Sequence, residues 1–471
     1  MTIDVLPSNV LLDIFDFCLD QQDPGAFLNR TSMWQKLVHV CQKWRDVVLQ
    51  SPRRLHLQIC CTSRSPVREK LDIWPAFPLV IWVNDVLFSW SMENVIAAFK
   101  HSNRIDMISS DKLLSSPSLL SMMLKPFPAL KYLALESFGR IAPDIPDSFL
   151  GGSAPQLQHL HLTNMSFPAL SKLLSSVTNL ISLTLWNLPH SEYISPEVMA
   201  TCLFAWTRLE SLELQFQYPG SHLSHTNISD REIQNFPSST CATLPALTRL
   251  KFEGESKYLE ELVARIDATP ILNSLNIQFF GQPIYHTPCL SRFISQVPKF
   301  QALTEASVVI FGPNIFVTVP TCDQSAFGHH VLTIGIPRED WQPSSLMQLC
   351  TESLSLFLTV EHLYMTCPQL CRRDIENTQW LELLHLFAAV KNLYLTGNFA
   401  QRIASVLQDL VGERVTEVLP ALQNIFLQEL RSWNPAPQGI IQFFNARWHS
   451  GSPIAVSNWQ GGSTVNDYNG Y

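Results

Sequence analysis

Three stretches, Leu157-Gln158-His159-Leu160-His161-Leu162, Leu180-Ile181-Ser182-Leu183-Thr184-Leu185 and Leu209-Glu210-Ser211-Leu212-Glu213-Leu214, share the pattern Leu-x-x-Leu-x-Leu. The last two Leu of each are two residues apart, which is the period of a β-strand, so they point to one face while the residues between them point to the other. The same pattern stands at Leu130, Leu133 and Leu135, and relaxed copies follow at Leu247/Leu250/Phe252, Leu272/Leu275/Ile277, Val360/Leu363/Met365, Val390/Leu393/Leu395 and Leu422/Ile425/Leu427. From Leu133 to Leu275 the middle Leu positions are separated by 27, 23, 29, 38 and 25 residues, the period of a leucine-rich repeat apart from one insertion. Weaker copies are expected at Ile105, Ala306 and Leu332.

One such unit cannot bury its own apolar face. Stacked units can, and helical segments such as Ala169 to Val177 and Tyr258 to Ile266 return the chain between strands. The expectation is a curved parallel sheet with outer helices, over residues 101–456. Its outward row would line the concave face, with His159, His161, Trp186, Glu213, Arg249, Lys251, Tyr364 and Tyr394 as the candidate target-binding residues. Rigid aromatics supply contact area and polar groups supply selection, although any solvated sheet face needs polar residues as well. Gln217 to Thr243, rich in Ser, Thr, Asn and His, reads as a long loop, and 457–471 as a disordered tail.

Composition limits the function classes. The chain of 471 residues is 46% apolar and 15% charged, which excludes disorder as its main state, and its net charge of -8 with no concentrated basic stripe argues against nucleic acid as a partner. No apolar run approaches the ~20 residues of a membrane helix, and the N-terminus shows no secretory signal, so a soluble cytoplasmic or nuclear protein with no membrane partner is expected. The eleven cysteines are scattered and odd in number, which fits reduced thiols. Cys350, Cys367 and Cys371 with His362 lack the paired spacing of a zinc site, and no phosphate loop, nucleophile elbow or H-E-x-x-H pair occurs. No cofactor, no metal and no catalytic residue is therefore assigned.

Ahead of the repeats, residues 5–50 read as two or three helices, with Leu11, Ile14, Phe15 and Cys18 on one face of the first. The string Leu6-Pro7-Ser8-Asn9-Val10-Leu11-Leu12-Asp13-Ile14-Phe15, followed after an insertion by Trp34-x-x-Leu37-x-x-Val40-Cys41-x-x-Trp44-Arg45, resembles an F-box. The likeness extends through Ser51-Pro52-Arg53-Arg54-Leu55, Trp74-Pro75-Ala76-Phe77-Pro78 and Gly151-Gly152-Ser153-Ala154-Pro155 to a large fungal group of F-box proteins with degenerate leucine-rich repeats. That resemblance implies an α/β chain: a small helical F-box module over 1–50, a linker and N-terminal cap over 51–100, then the solenoid. It implies Leu6, Pro7, Leu11, Ile14, Phe15, Val40 and Trp44 as contacts to a Skp-family adaptor, and through it a cullin. The expected role is substrate recognition in a ubiquitin ligase, without bond chemistry of its own. A binding scaffold whose F-box-like module does not support ubiquitin transfer is the alternative.

Overall fold

Strands form wherever the Leu-x-x-Leu-x-Leu pattern occurs. The computed structural model describes residues 6–20, 34–61, 67–83, 92–111, 116–139, 143–189, 194–217, 241–267, 270–280, 287–301, 304–311, 314–320, 330–337, 359–366, 376–410, 412–428 and 437–459. The chain divides into two units, Met1–Tyr193 and Ile194–Tyr471.

The first unit opens with helices α1 (Ser8–Asp20) and α2 (Gln42–Gln50), with a short helical stretch over 34–38 between them. Parallel strands follow: β1 (Ile59–Cys61), β2 (Leu79–Val83), β3 (Ile105–Ser110), β4 (Tyr132–Glu136), β5 (His159–Thr163) and β6 (Ser182–Leu188), hydrogen-bonded in chain order. Between them run α3 (Val67–Ile73), α4 (Met92–Phe99), α5 (Pro117–Met122) and α6 (Leu170–Ser175). The register is what the repeat demands. Ile108, Leu133, Leu160 and Leu183 lie directly opposite one another, all fully or almost fully buried, so each strand adds one rung to a shared apolar core.

The second unit begins with α7 (Pro196–Ala205) and β7 (Ser211–Phe216), then a short parallel pair of β8 (Ala242–Thr243) with β10 (Ile266–Asp267) flanking β9 (Arg249–Gly254) and α8 (Ser256–Val263). It continues through β11 (Ser274–Phe279), α9 (Pro288–Ser295), β12 (Glu305–Phe311), β13 (Asn314–Pro320), β14 (His330–Pro337), β15 (His362–Thr366), α10 (Asn377–His385), β16 (Asn392–Leu395), α11 (Gly397–Gln408), β17 (Asn424–Gln428), α12 (Gln438–His449) and β18 (Ala455–Trp459). Leu212, Leu250, Leu275 and Leu332 share one rung, and Ala306, Leu363, Leu393, Ile425 and Val456 another.

The structure adds to or departs from the sequence reading in four places. The sheet is mostly but not wholly parallel: β13 runs antiparallel between β14 and β12, inserting a three-strand meander where single repeats were expected at Ala306 and Leu332. Residues 51–100, expected as linker and cap, supply β1 and β2. Ser457–Trp459, expected within a disordered tail, complete β18, because Ala455 N–H donates to Gln423 O (2.7 Å) and the ladder runs on to Trp459. Leu11 and Phe15, expected as adaptor contacts, are fully buried within the chain, with the Phe15 ring edge-on to Trp44 at 4.7 Å. The reason is that a module this small needs its largest side chains for its own core. Most of the expected loop Gln217 to Thr243 and the rest of the tail lie outside the described residues.

Candidate protein-binding face

Strand alternation sends one row of side chains into the helix-covered core and the other to the opposite, open face. In the first unit that open row holds Tyr132 and Glu136 on β4, His159, His161 and Thr163 on β5, and Trp186 on β6. His161 stands at its centre. Its Nε2 lies 2.9 Å from the Thr163 hydroxyl and 3.6 Å from the Glu136 carboxylate, and its ring meets the half-buried Trp186 edge-on at 5.2 Å. His159 packs beside Tyr132 at 5.8 Å. Burial, and then the neighbouring Glu136, raise the Tyr132 phenol above its ordinary range, so it stays neutral.

Strand exits here are fixed by asparagine. Asn164 and Asn187 both adopt left-handed backbone (φ 55° and 54°), which Asn tolerates better than most residues. Asn164 donates through Nδ2 to Ser137 O (2.9 Å) and Gly139 O (2.8 Å), and Asn187 Nδ2 reaches Asn164 Oδ1 (3.1 Å). These bonds tie three successive strand ends together and hold the open row in register.

Towards β1 the open face is apolar. Cys60, Val80 and Met107 are buried on that side, with Trp82 and Tyr132 packed against them. The Cys61 thiol, on the inward row, is pushed up to about 12 by burial first and Cys60 second, as expected of an unreactive core thiol.

In the second unit, Glu213 on β7 is directly opposite Lys251 on β9, and Arg249 opposite Ser211 and Ser274. Burial raises the Glu253 carboxyl, with Lys251 and the Gln215 amide acting the other way. Further along, Tyr364, Tyr394 and Phe426 occupy one rung of β15, β16 and β17 and form a column of parallel rings, at 4.3 Å for the first pair and 4.6 Å for the second. Trp459 leans over it, edge-on to Tyr394 at 5.3 Å and tilted to Tyr364 at 6.0 Å. Beside the column, Asn424 Nδ2 donates to Asn392 Oδ1 (2.7 Å), and His362 Nδ1 lies 3.3 Å from the Asn392 amide and 3.5 Å from the Tyr394 hydroxyl. Burial, and then Glu305, raise the Tyr364 phenol strongly.

All eight expected target-binding residues therefore stand on the open row of their units. The structure pairs His161 with Trp186, Glu213 with Lys251, and Tyr364 with Tyr394. It adds Phe426 and Trp459, which the sequence reading missed. The outward position of Phe426 was available from its place between Ile425 and Leu427; Trp459 sits in a strand without leucine. In the N-terminal module, of the seven expected adaptor contacts, Pro7, Ile14 and Val40 are exposed, Leu6 and Trp44 are half-buried, and Phe17 joins the exposed group. His362 is engaged on the sheet face, while Cys350, Cys367 and Cys371 lie outside the described residues. Among the described residues no group of three or more His, Cys, Asp or Glu is placed to hold a metal ion, and no helix is long and apolar enough to cross a membrane.

No family model matches the chain, and no curated protein does. Among solved structures, the leucine-rich repeat-containing protein LegL7 from Legionella pneumophila is similar over 84% of this chain and 98% of its own, at 14% identity and a TM-score of 0.26. The fold assigned above rests on the strand register, not on that likeness.

Proposed function

We propose that the chain is the substrate-recognition subunit of a cullin-based ubiquitin ligase. The N-terminal module binds a Skp-family adaptor, and the open sheet face binds a target protein. The observation that carries the reading is the F-box-like string, whose first helix leaves Ile14 and Phe17 exposed at 38% and 63% and whose turn leaves Val40 exposed at 56%, while Leu11 and Phe15 hold the module together. Large apolar groups left outside a folded module are what a partner interface requires. The target side is supported by the aromatic and polar rows on the open face. The receptor does no bond chemistry itself. It holds a target lysine near the activated ubiquitin, and the acceleration comes from effective concentration.

The alternative, a scaffold without ubiquitin transfer, draws on the burial of Leu11 and Phe15, which leaves fewer adaptor contacts than the resemblance implies. Co-purification of the full chain with a Skp-family adaptor and a cullin separates the two. Recovery of both supports the receptor, and Ile14→Asp with Val40→Asp then abolishes it while the chain stays folded. Adaptor without cullin favours the scaffold. Recovery of neither overturns the receptor.

A further inference from the structure

Among the described residues of the second unit, α7, α8 and α9 pack in series, as do α10, α11 and α12, and no helix follows α12. Helix α12 packs on α11 through Gly439, where any Cβ would run into the Ala404 carbonyl, so the Gly439 side of α12 is the side turned toward the preceding repeat. At about 100° per residue, Ile441, Phe444 and Trp448 lie roughly 200°, 140° and 180° round the helix from Gly439, and so point the opposite way. Ile441 is 45% and Trp448 64% exposed, and the Phe444 and Trp448 rings stack on each other at 6.4 Å.

From α12 the chain runs on into the edge strand β18. Its inner edge pairs with β17, and among the described residues no strand pairs with its outer edge. The bond from Ala455 N–H to Gln423 O turns the Ala455 backbone inward, and the alternation of a parallel ladder turns that of Val456 outward. Strand edges are ordinarily guarded by charge, proline or a bulge. This one is not: across 438–459 Arg447 is the sole Asp, Glu, Lys or Arg, and it is buried, donating to Leu422 O (3.0 Å), Pro420 O (3.4 Å) and Val415 O (3.5 Å).

We propose that this end face is the interface of an isologous homodimer, with β18 of two copies pairing antiparallel about Val456 and the Ile441–Phe444–Trp448 stripes closing over the join. The occupant is a second copy because, among the described residues 438–459, the face presents no exposed Asp, Glu, Lys or Arg. A highly charged partner has nothing to recognise there, whereas a copy related by a two-fold axis meets the same neutral, hydrogen-bond-ready surface without like-charge repulsion. Repeat arrays need their end faces covered, and self-pairing covers both copies at once. The inference does not depend on the ubiquitin-ligase reading.

Sedimentation of the full chain at micromolar concentration should give twice the 53.4 kDa chain mass. Trp448→Glu combined with Ile441→Lys should weaken association at least ~30-fold while the far-ultraviolet circular dichroism stays that of the wild type. Val456→Cys should yield a covalent dimer on mild oxidation beyond any formed by the wild type, because directly paired Cα atoms about 5.5 Å apart are within disulfide reach. A monomeric wild type, or a dimer indifferent to both sets of substitutions, overturns the proposal. So does a monomer that dimerises only when residues 460–471 are deleted, since the chain's own C-terminal segment would then be the occupant.

Discussion

The strand at the start of the first unit and the strand at the end of the second are both edges, and they are treated in opposite ways. All three residues of β1 are buried, whereas three of five in β18 are exposed. The helical module packs on the segments flanking β1: Trp34 donates to Gln58 O (2.9 Å) and packs edge-on against Trp74 and Phe77, and Arg54 pairs with Asp13 and Asp16 of α1. Nothing comparable covers β18 among the described residues. One edge is thus consumed by intramolecular packing and the other left for association. The contrast teaches that the N-terminal helices serve the sheet as well as any adaptor, so their variants must be separated into core and surface.

The largest effect should come from testing that separation. Phe15→Ala removes a fully buried ring that meets Trp44 at 4.7 Å, and should cost about 3–5 kcal/mol of stability by chemical denaturation. Trp448→Ala near β18, measured below the dimerisation concentration, should cost under ~0.5 kcal/mol. Equal losses at the two positions would break the comparison.

A second variant tests how tightly the bare end is fitted on its inner side. Gly439→Ala forces a methyl against the Ala404 carbonyl of α11, a backbone atom that cannot swing away, and should cost about 1–3 kcal/mol. If Gly439→Ala is neutral, α12 is loosely docked and the outward direction assigned to Trp448 fails with it.

Much of this arrangement was legible in the sequence because each inward Leu is both a strand signal and a register signal. Leu133, Leu160 and Leu183 fall opposite one another as the spacing implies. β1 and β2 were hidden for a physical reason: Ile-Cys-Cys and Leu-Val-Ile-Trp-Val are apolar on both faces, since Cys60 and Val80 build a second small core, so no alternation marks them. The antiparallel direction of β13 leaves no trace either, because Asn314–Pro320 alternates equally well in both senses. On the open face the row was readable, but which members meet was not. That His161 touches Trp186 depends on β5 and β6 being neighbours in a register that only the fold supplies.

Variants on the open row of either unit should fall between these two cases in stability and act on binding more than on folding. Trp186 is half-buried, resting edge-on against His161, so Trp186→Ala should lower stability by about 0.5–1.5 kcal/mol, more than a bare surface residue would and far less than Phe15. Its effect on target capture should exceed ~1 kcal/mol, read as a fold-change in Kd once a target is in hand. A sharp loss of melting temperature with capture intact would return the ring to the core.

The smallest effect tests how far this face is shielded from water. Burial holds the Glu253 carboxyl above its ordinary range, against the pull of Lys251 and the Gln215 amide. The folded chain therefore keeps that proton to a higher pH than the unfolded chain does. Its contribution is fully present below the unfolded pKa and is lost as pH rises through the folded one. Gln has no proton to lose, so Glu253→Gln should match the wild type near the acid end of the carboxylate range and exceed it at neutral pH, by about 1–2 °C in Tm. Removing the opposing cation as well, with Lys251→Met in both backgrounds, should widen the gap, because the charged carboxylate then loses its nearest compensation. A wild type that gains stability over Glu253→Gln as pH rises from acid to neutral would reverse the sign, showing that Lys251 outweighs burial and that the Glu253 position is as open to solvent as the β18 edge.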